Sequence, residues 1–170
     1  MKKVISVLSI LMMLVLSAAC TATKESGNED RKGNQDGDEK VLYLNNGEEP
    51  TSFDPPIGFN AVSWNALNNL MEGLMRLGKN HEPEKAAAEN WEVSDDGKVY
   101  TFFIREDAKW SNGDDLTASD FVYAWKRLLD PETASGAAFL GYFIEGGEAF
   151  NTEKGTADDV KVEAVDEKTF

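Results

Sequence analysis

Thiols, imidazoles and cations are scarce in this chain of 170 residues, which has one Cys, one His and 17 Lys and Arg against 31 Asp and Glu. A lone cysteine can form no disulfide within the chain and builds no cysteine-based metal site. A lone histidine leaves any His-dependent catalytic triad resting on His81. His81 stands in a polar stretch beside Glu82 and Pro83, which reads as solvated surface. The formal charge of −14 argues against nucleic acid as a partner, because phosphate binding needs clustered Lys and Arg. It suits solubility outside a cell. Also missing are a Gly-rich phosphate loop, a metal-ligand spacing and a serine in a nucleophile-elbow context. Asp95/Asp96 and Asp114/Asp115 are paired acids, but both pairs stand beside a glycine, where Asp serves turn geometry. Asn34, Asp36 and Asp38 begin like a calcium loop, yet Glu39 holds the place of the required Gly and Asn45 that of the final Glu. Nothing here reads as an enzyme, a metal site or a cofactor site.

Long apolar runs are absent after the first 19 residues, and the one that is present is informative. Met1, Lys2 and Lys3 give a positive start, residues 4–19 carry no charge, and Ser17-Ala18-Ala19 place small side chains before Cys20. This is the pattern of a secretory signal peptide with a site resembling a bacterial lipobox. The alternative is a single-span anchor, for which residues 4–19 are short of the ~20 needed. The expectation is a signal peptide over residues 1–19 and a mature chain that starts at a lipidated Cys20, outside the cytoplasmic membrane. Two or more acyl chains anchor stably where one does not. Loss of Lys2 and Lys3 with the leader takes the formal charge from −14 to −16, so the body would be repelled by anionic lipid and needs that tether.

Residues 20–40 read as a flexible tether, since Ala22 is the only hydrophobic residue between Thr21 and Lys40 and such a segment cannot bury enough apolar surface to order itself. Beyond it a short apolar strand is expected over residues 41–44, then a loop to Pro56 in which Pro50, Pro55 and Pro56 forbid regular structure. Ser63 is a plausible N-cap for a helix that runs to Gly78, with Trp64, Leu67, Met71, Leu74 and Met75 at helical spacing. A helical turn is expected at Ala86-Ala87-Ala88. Residues 91–94 and 99–105 read as strands joined by Asp95-Asp96-Gly97-Lys98, a strong hairpin signal. Residues 109–115 form a loop. Thr117 opens a helix with Asp120 placed for a capping box, and Asp130-Pro131 ends it. A looser helical stretch comes next over residues 134–150. Val160, Val162 and Ala164 alternate as a strand, Asp166-Glu167-Lys168 turn, and Thr169-Phe170 begin a partner strand, inside which the sequence stops. That stop reads as a truncation. The four Trp residues, at 64, 91, 110 and 125, read as core anchors rather than sugar platforms, with Trp110 and Trp125 buried.

One stretch is more specific than the rest: Trp91, Ser94 to Phe102, Ile104-Arg105, Ala108-Lys109-Trp110-Ser111-Asn112-Gly113-Asp114, Leu116-Thr117-Ala118, Asp120-Phe121-Val122-Tyr123-Ala124-Trp125-Lys126-Arg127, Asp130-Pro131 and Thr133-Ala134-Ser135. It resembles the signature of the extracellular oligopeptide-binding proteins of ABC importers, the solute-binding proteins of family 5. Ser52-Phe53-Asp54-Pro55 and Met71-Glu72-Gly73-Leu74 resemble the N-terminal landmarks of the same family. The likeness covers residues 41–170.

The resemblance implies a mixed α/β fold, the N-terminal part of a two-lobed periplasmic-binding-protein-like architecture of type II that closes on an extended peptide. Residues 41–71 would open the first lobe, residues 72–170 would form a subdomain packed on it, and the second lobe lies outside this stretch. It implies an importer component that captures oligopeptides and hands them to a permease and its ATPase subunits, as a monomer; the Cys20 anchor adds a place on the extracytoplasmic face of the membrane and suits a Gram-positive envelope. Relatives that bind nickel or haem, or peptide pheromones, are alternatives inside the family. A secreted hydrolase with its site outside this stretch is the alternative from another class. By count from Asp54-Pro55 to Glu72-Gly73-Leu74, Phe59, Asn60 and Ala61 fall where family members pair with the peptide backbone; an ordinary loop is the other reading. A family Tyr that lines the pocket after Asp-Pro has no match, Ala137 standing near its place, with Tyr142 as a substitute.

Overall fold

A computed structural model describes residues 41–170, so the leader, Cys20 and the tether expected over residues 1–40 lie outside the described residues. Val41, Leu42, Tyr43 and Leu44 are exposed and adopt no regular structure in place of the expected strand. A strand needs a ladder partner, and none is paired to them among the described residues. Residues 44–170 form one compact unit.

The first helix, α1, spans Ala61–Leu70 and is shorter at its C-terminal end than the spacing predicts. Its N-cap is Asn60, whose Oδ1 accepts the Ser63 amide at 2.8 Å. Ser63 is not the cap; it lies inside the first turn with its hydroxyl fully buried against residues 51–52. The helix stops because the next backbone groups are engaged elsewhere: the Gly73 and Leu74 carbonyls accept from the Ala87 and Ala88 amides at 3.0 and 2.9 Å. Met75 therefore opens strand β1, Met75–Leu77, which pairs antiparallel with β2, Pro83–Lys85.

Ala86, Ala87 and Ala88 are buried but not helical. Alanine favours helix only weakly, and tertiary contacts override it. Here the Ala87 carbonyl takes the Arg105 amide at 3.0 Å while its own amide reaches Gly73, so backbone passes close on both sides. Strand β3, Ala88–Val93, continues from it and pairs antiparallel with β4, Tyr100–Ile104, with a bulge between Ala88 and Asn90. The expected hairpin turn is present: Gly97 has φ +71°, and Asp96 accepts from the Ser94 hydroxyl at 2.6 Å and the Lys98 amide at 3.2 Å. Those bonds, the hydroxyl first, hold the Asp96 carboxyl below the usual range. Both faces of β4 are covered only away from the turn, where Ile104 is buried; Val99 and Tyr100 are exposed.

Helix α2, Ala118–Leu129, begins where Thr117 and Asp120 predict it, the Asp120 carboxylate accepting the Thr117 amide at 2.8 Å. It ends at Asp130-Pro131, which opens a 3-10 turn over Pro131–Thr133. The looser stretch after it is two short pieces, a 3-10 turn at Ala138–Gly141 and helix α3, Gly147–Asn151. Leu129 is fully buried under them. Gly141 packs directly on it: a Cβ there would stand 2.9 Å from Leu129 Cδ2 and displace that side chain.

Residues 160–164 form no strand; Val160 is buried, and its neighbour Lys161 donates its amide to the Glu145 carbonyl at 2.9 Å. Thr169-Phe170 do pair, but with β4: Phe102 and Phe170 exchange amide–carbonyl bonds of 2.8 and 3.0 Å. The core under the hairpin is Ile104, Ala108 and Ala118, with Leu74, Leu116, Phe121 and Phe170 packed on it. Tryptophan does not anchor it. Trp110 is 51% and Trp64 36% exposed, and Trp91 and Trp125 are half-buried, Trp125 edge-on to Phe143. Alanines at the closest backbone approaches leave the large rings to pack from outside.

Candidate functional site

Phe59, Asn60 and Ala61 form the joint between an irregular segment and α1. Asn60 is fully extended, with φ −154° and ψ 163°. Its own amide donates to the Gly58 carbonyl at 3.0 Å and its carbonyl accepts the Trp64 amide at 2.9 Å, so both are engaged internally. The Phe59 amide likewise reaches Ile57 at 2.8 Å. The Phe59 carbonyl and the Ala61 amide have no partner among the described residues. Those two groups flank one extended residue, which is the pair that a neighbouring strand uses to bridge to it. Phe59 and Ala61 are exposed and Asn60 is half-buried. The three residues named from the count thus stand together on the surface, and the groups left open among the described residues are the Phe59 carbonyl and the Ala61 amide, while the Asn60 amide is engaged.

The segment leading to them is built by side chains rather than by a ladder. The buried Ser63 hydroxyl accepts the Thr51 amide at 3.1 Å and stands 3.2 Å from the Thr51 hydroxyl. Asn60 Nδ2 donates to Thr51 Oγ1 at 2.5 Å. The Asp54 carbonyl accepts both Ile57 and Gly58 amides, at 2.9 and 2.8 Å. Gly58 is needed in this coil, since a Cβ there would lie 2.6 Å from the Ser52 carbonyl oxygen.

Three contacts tie this segment to the end of α2 and to the residues just beyond it. Arg127 Nη1 and Nη2 donate to the two Asp54 carboxylate oxygens at 2.7 and 2.6 Å, a bidentate pair. The Arg127 hydrogen bonds hold the Asp54 carboxyl below its ordinary range and raise the guanidinium. Ser135 Oγ donates to the Pro56 carbonyl at 2.5 Å. The Phe59 ring stands edge-on to Phe139, centroids 5.8 Å apart. Ala134, with φ +50°, is the left-handed residue at which the chain turns between Pro131–Thr133 and Ser135. Residue spacing alone did not reveal this cluster. The signal was present all the same: Asp54, Arg127 and Ser135 sit in three separated motifs, two of them with opposite charge.

Other singled-out residues stand elsewhere. His81 is exposed, with φ +64°. Ala137 is buried. The Tyr142 hydroxyl donates to Asn151 Oδ1 at 2.6 Å, while Asn151 Nδ2 donates to the Leu129 carbonyl at 3.0 Å, so Tyr142 serves the end of α2. Arg127 also borders an open hollow of about 520 Å³ with Tyr123, Lys126, Asp130, Glu132 and Phe150, but Phe59, Asn60 and Ala61 do not line it. Among the described residues no group of three or more His, Cys, Asp or Glu is placed to hold a metal ion.

Known proteins resemble the chain along its whole length. The family described as bacterial extracellular solute-binding proteins, family 5 Middle, matches residues 82–170. The dipeptide-binding protein DppE of Bacillus subtilis is 61% identical over all of this chain and 32% of its own length. The oligopeptide-binding protein OppA of the same organism is 44% identical over all of this chain and 31% of its own. The chain therefore spans about a third of the length of these curated relatives. Among solved structures, Haemophilus influenzae OppA in complex with the peptide RPPGFSPFR superposes with a TM-score of 0.70 at 44% identity, covering 74% of this chain and 25% of that one. Its mixed α/β fold is thus a portion of the fold of these periplasmic peptide-binding proteins. The chain belongs to the bacterial extracellular solute-binding proteins of family 5.

Proposed function

We propose that this chain is the N-terminal part of the substrate-binding component of an ABC importer, which captures oligopeptides outside the membrane and delivers them to a permease. The observation that carries this reading is the likeness, along the entire chain, to relatives named for dipeptide and oligopeptide binding. The open Phe59 carbonyl and Ala61 amide around an extended Asn60 are compatible with it. Main-chain pairing lets one protein hold many sequences, because those groups are common to all peptides. In this reading residues 41–71 open the first lobe, residues 72–170 form a subdomain packed on it, and closure of a second lobe traps the ligand without covalent chemistry. Cys20 carries the lipid that holds the protein on the outer face of the cytoplasmic membrane. The pairing edge contributes modestly by itself, about 1 kcal/mol net per hydrogen bond, so most of the affinity has to come from a closed site.

The test is to purify the complete protein from its host, identify co-purifying ligands by mass spectrometry, and titrate the stripped protein with mixed tri- to pentapeptides by calorimetry. Short peptides in the first experiment and saturable heat in the second are expected. A bound metal, haem or no ligand, together with no heat, would contradict the reading.

A further inference from the structure

We propose that Asp54 and Arg127, with Ser135 and Phe139, position the peptide-pairing edge at Phe59–Ala61 and so set its affinity, although none of the four is required to touch the ligand. The inference rests on the peptide-binding reading of this chain. It begins from how little else holds that edge. Helix α1 buries only Ser63 and Leu67, and Trp64 and Leu70 are exposed, so the helix is a poor anchor for the residues at its start. The bonds among Thr51, Asn60 and Ser63 are internal to the segment; they shape it without placing it on the rest of the fold.

The placement comes from across the chain. Arg127 grips Asp54 with two parallel bonds of 2.7 and 2.6 Å over 73 residues of sequence. Ser135 holds the Pro56 carbonyl at 2.5 Å over 79 residues. Phe139 meets the Phe59 ring itself. The ties fall in chain order on Asp54, Pro56 and Phe59, so they act along the whole approach to Asn60. Arg127 and Ser135 flank Asp130-Pro131, where the chain leaves α2 and, at Ala134, enters the left-handed region. A bidentate guanidinium–carboxylate pair fixes direction as well as distance. A lysine could restore the charge but not the fork.

A flexible edge must be ordered each time a peptide binds, whereas a clamped edge is ordered beforehand. The pair therefore acts on affinity through Phe59–Ala61 rather than through contact. In the complete protein, Arg127→Met should weaken binding of a mixed tri- to pentapeptide pool by roughly tenfold, and Arg127→Lys should recover part of that loss. Asp54→Asn should weaken binding similarly, and the Asp54→Asn/Arg127→Met double variant should be no weaker than the worse single variant, as expected when both act through one pair.

Amide hydrogen exchange without ligand supplies the second readout. In Arg127→Met, exchange at Ile57, Gly58, Phe59 and Asn60 should quicken while the β3–β4 amides keep their rates. Unchanged affinity in both single variants, or effects that add in the double variant, would overturn the proposal. So would faster exchange across the whole domain, which would mark a merely structural role. If the unsubstituted protein binds no peptide while its exchange pattern still responds to Arg127→Met, the peptide-binding reading fails and the clamp survives only as a feature of the fold.

Discussion

The hairpin and helix of residues 83–129 and the irregular segment of residues 51–60 are held by different means. In the first, backbone ladders, a capping box and a small alanine-lined core do the work: β3 against β4, Asp120 on Thr117, and Ile104, Ala108 and Ala118 beneath. In the second there is no ladder among the described residues. Side chains of Thr51, Ser63 and Asn60 close the coil, and Arg127, Ser135 and Phe139 fasten it from far along the chain. The first region pairs β3 with β4, and β4 in turn with Phe170. The second leaves a carbonyl and an amide open at its end. A ladder spends backbone on backbone, whereas a segment fixed by its side chains can present main-chain groups at its end.

The largest effect should come from breaking the packed region. Leu129→Ala removes a fully buried side chain from under Gly141 and Gly147 and should destabilise by about 2–5 kcal/mol, read as a clear fall in melting temperature. Trp110→Ala should cost less, about 1–2 kcal/mol against the ~3–5 of a fully buried aromatic, because Trp110 is 51% exposed. If Trp110→Ala proved as damaging as Leu129→Ala, this placement of the core would be wrong.

A smaller effect, from acid, sharpens the comparison. Unfolded aspartate titrates near 3.9, and the Arg127 bonds hold Asp54 lower in the fold. A depressed carboxyl contributes stability that is present above the unfolded value and lost as pH falls through the folded one. The stabilisation from Asp54 should thus be complete at neutral pH and fade below about pH 4. With both side chains about a third exposed, solvent screening keeps it under about 1 kcal/mol. Melting curves of the unsubstituted protein and Arg127→Met should therefore differ at about pH 6 and draw together as pH falls below about 4; a gap that widened in acid would contradict the pairing.

The same division explains what the sequence disclosed. Asp95-Asp96-Gly97-Lys98, Thr117 with Asp120, and Asp130-Pro131 are local signals, and the hairpin and helix stand where they predict. Ala86-Ala87-Ala88 misled because their conformation is set by Gly73 and Arg105, distant in sequence. Residues 160–164 alternate like a strand, but β4 takes Thr169-Phe170 instead. At the candidate site, family resemblance placed Phe59, Asn60 and Ala61. Residue pattern could not assign the cap to Asn60 rather than Ser63, because both are cap-forming types and the choice rests on the burial of Ser63 against Thr51. The Asp54–Arg127 pair spans a separation that no periodicity reaches.

The central claim, that peptide backbone pairs at Phe59–Ala61, is tested most directly by Ala61→Pro in the complete protein. Proline suits the first position of a helix, and the extended Asn60 before it meets the restriction proline imposes. The substitution deletes the open amide and leaves the fold intact. Peptide titration by calorimetry should show binding weakened about fivefold, the loss of one hydrogen bond near 1 kcal/mol, with the melting temperature unchanged. Undiminished affinity in a protein that melts normally would contradict the claim.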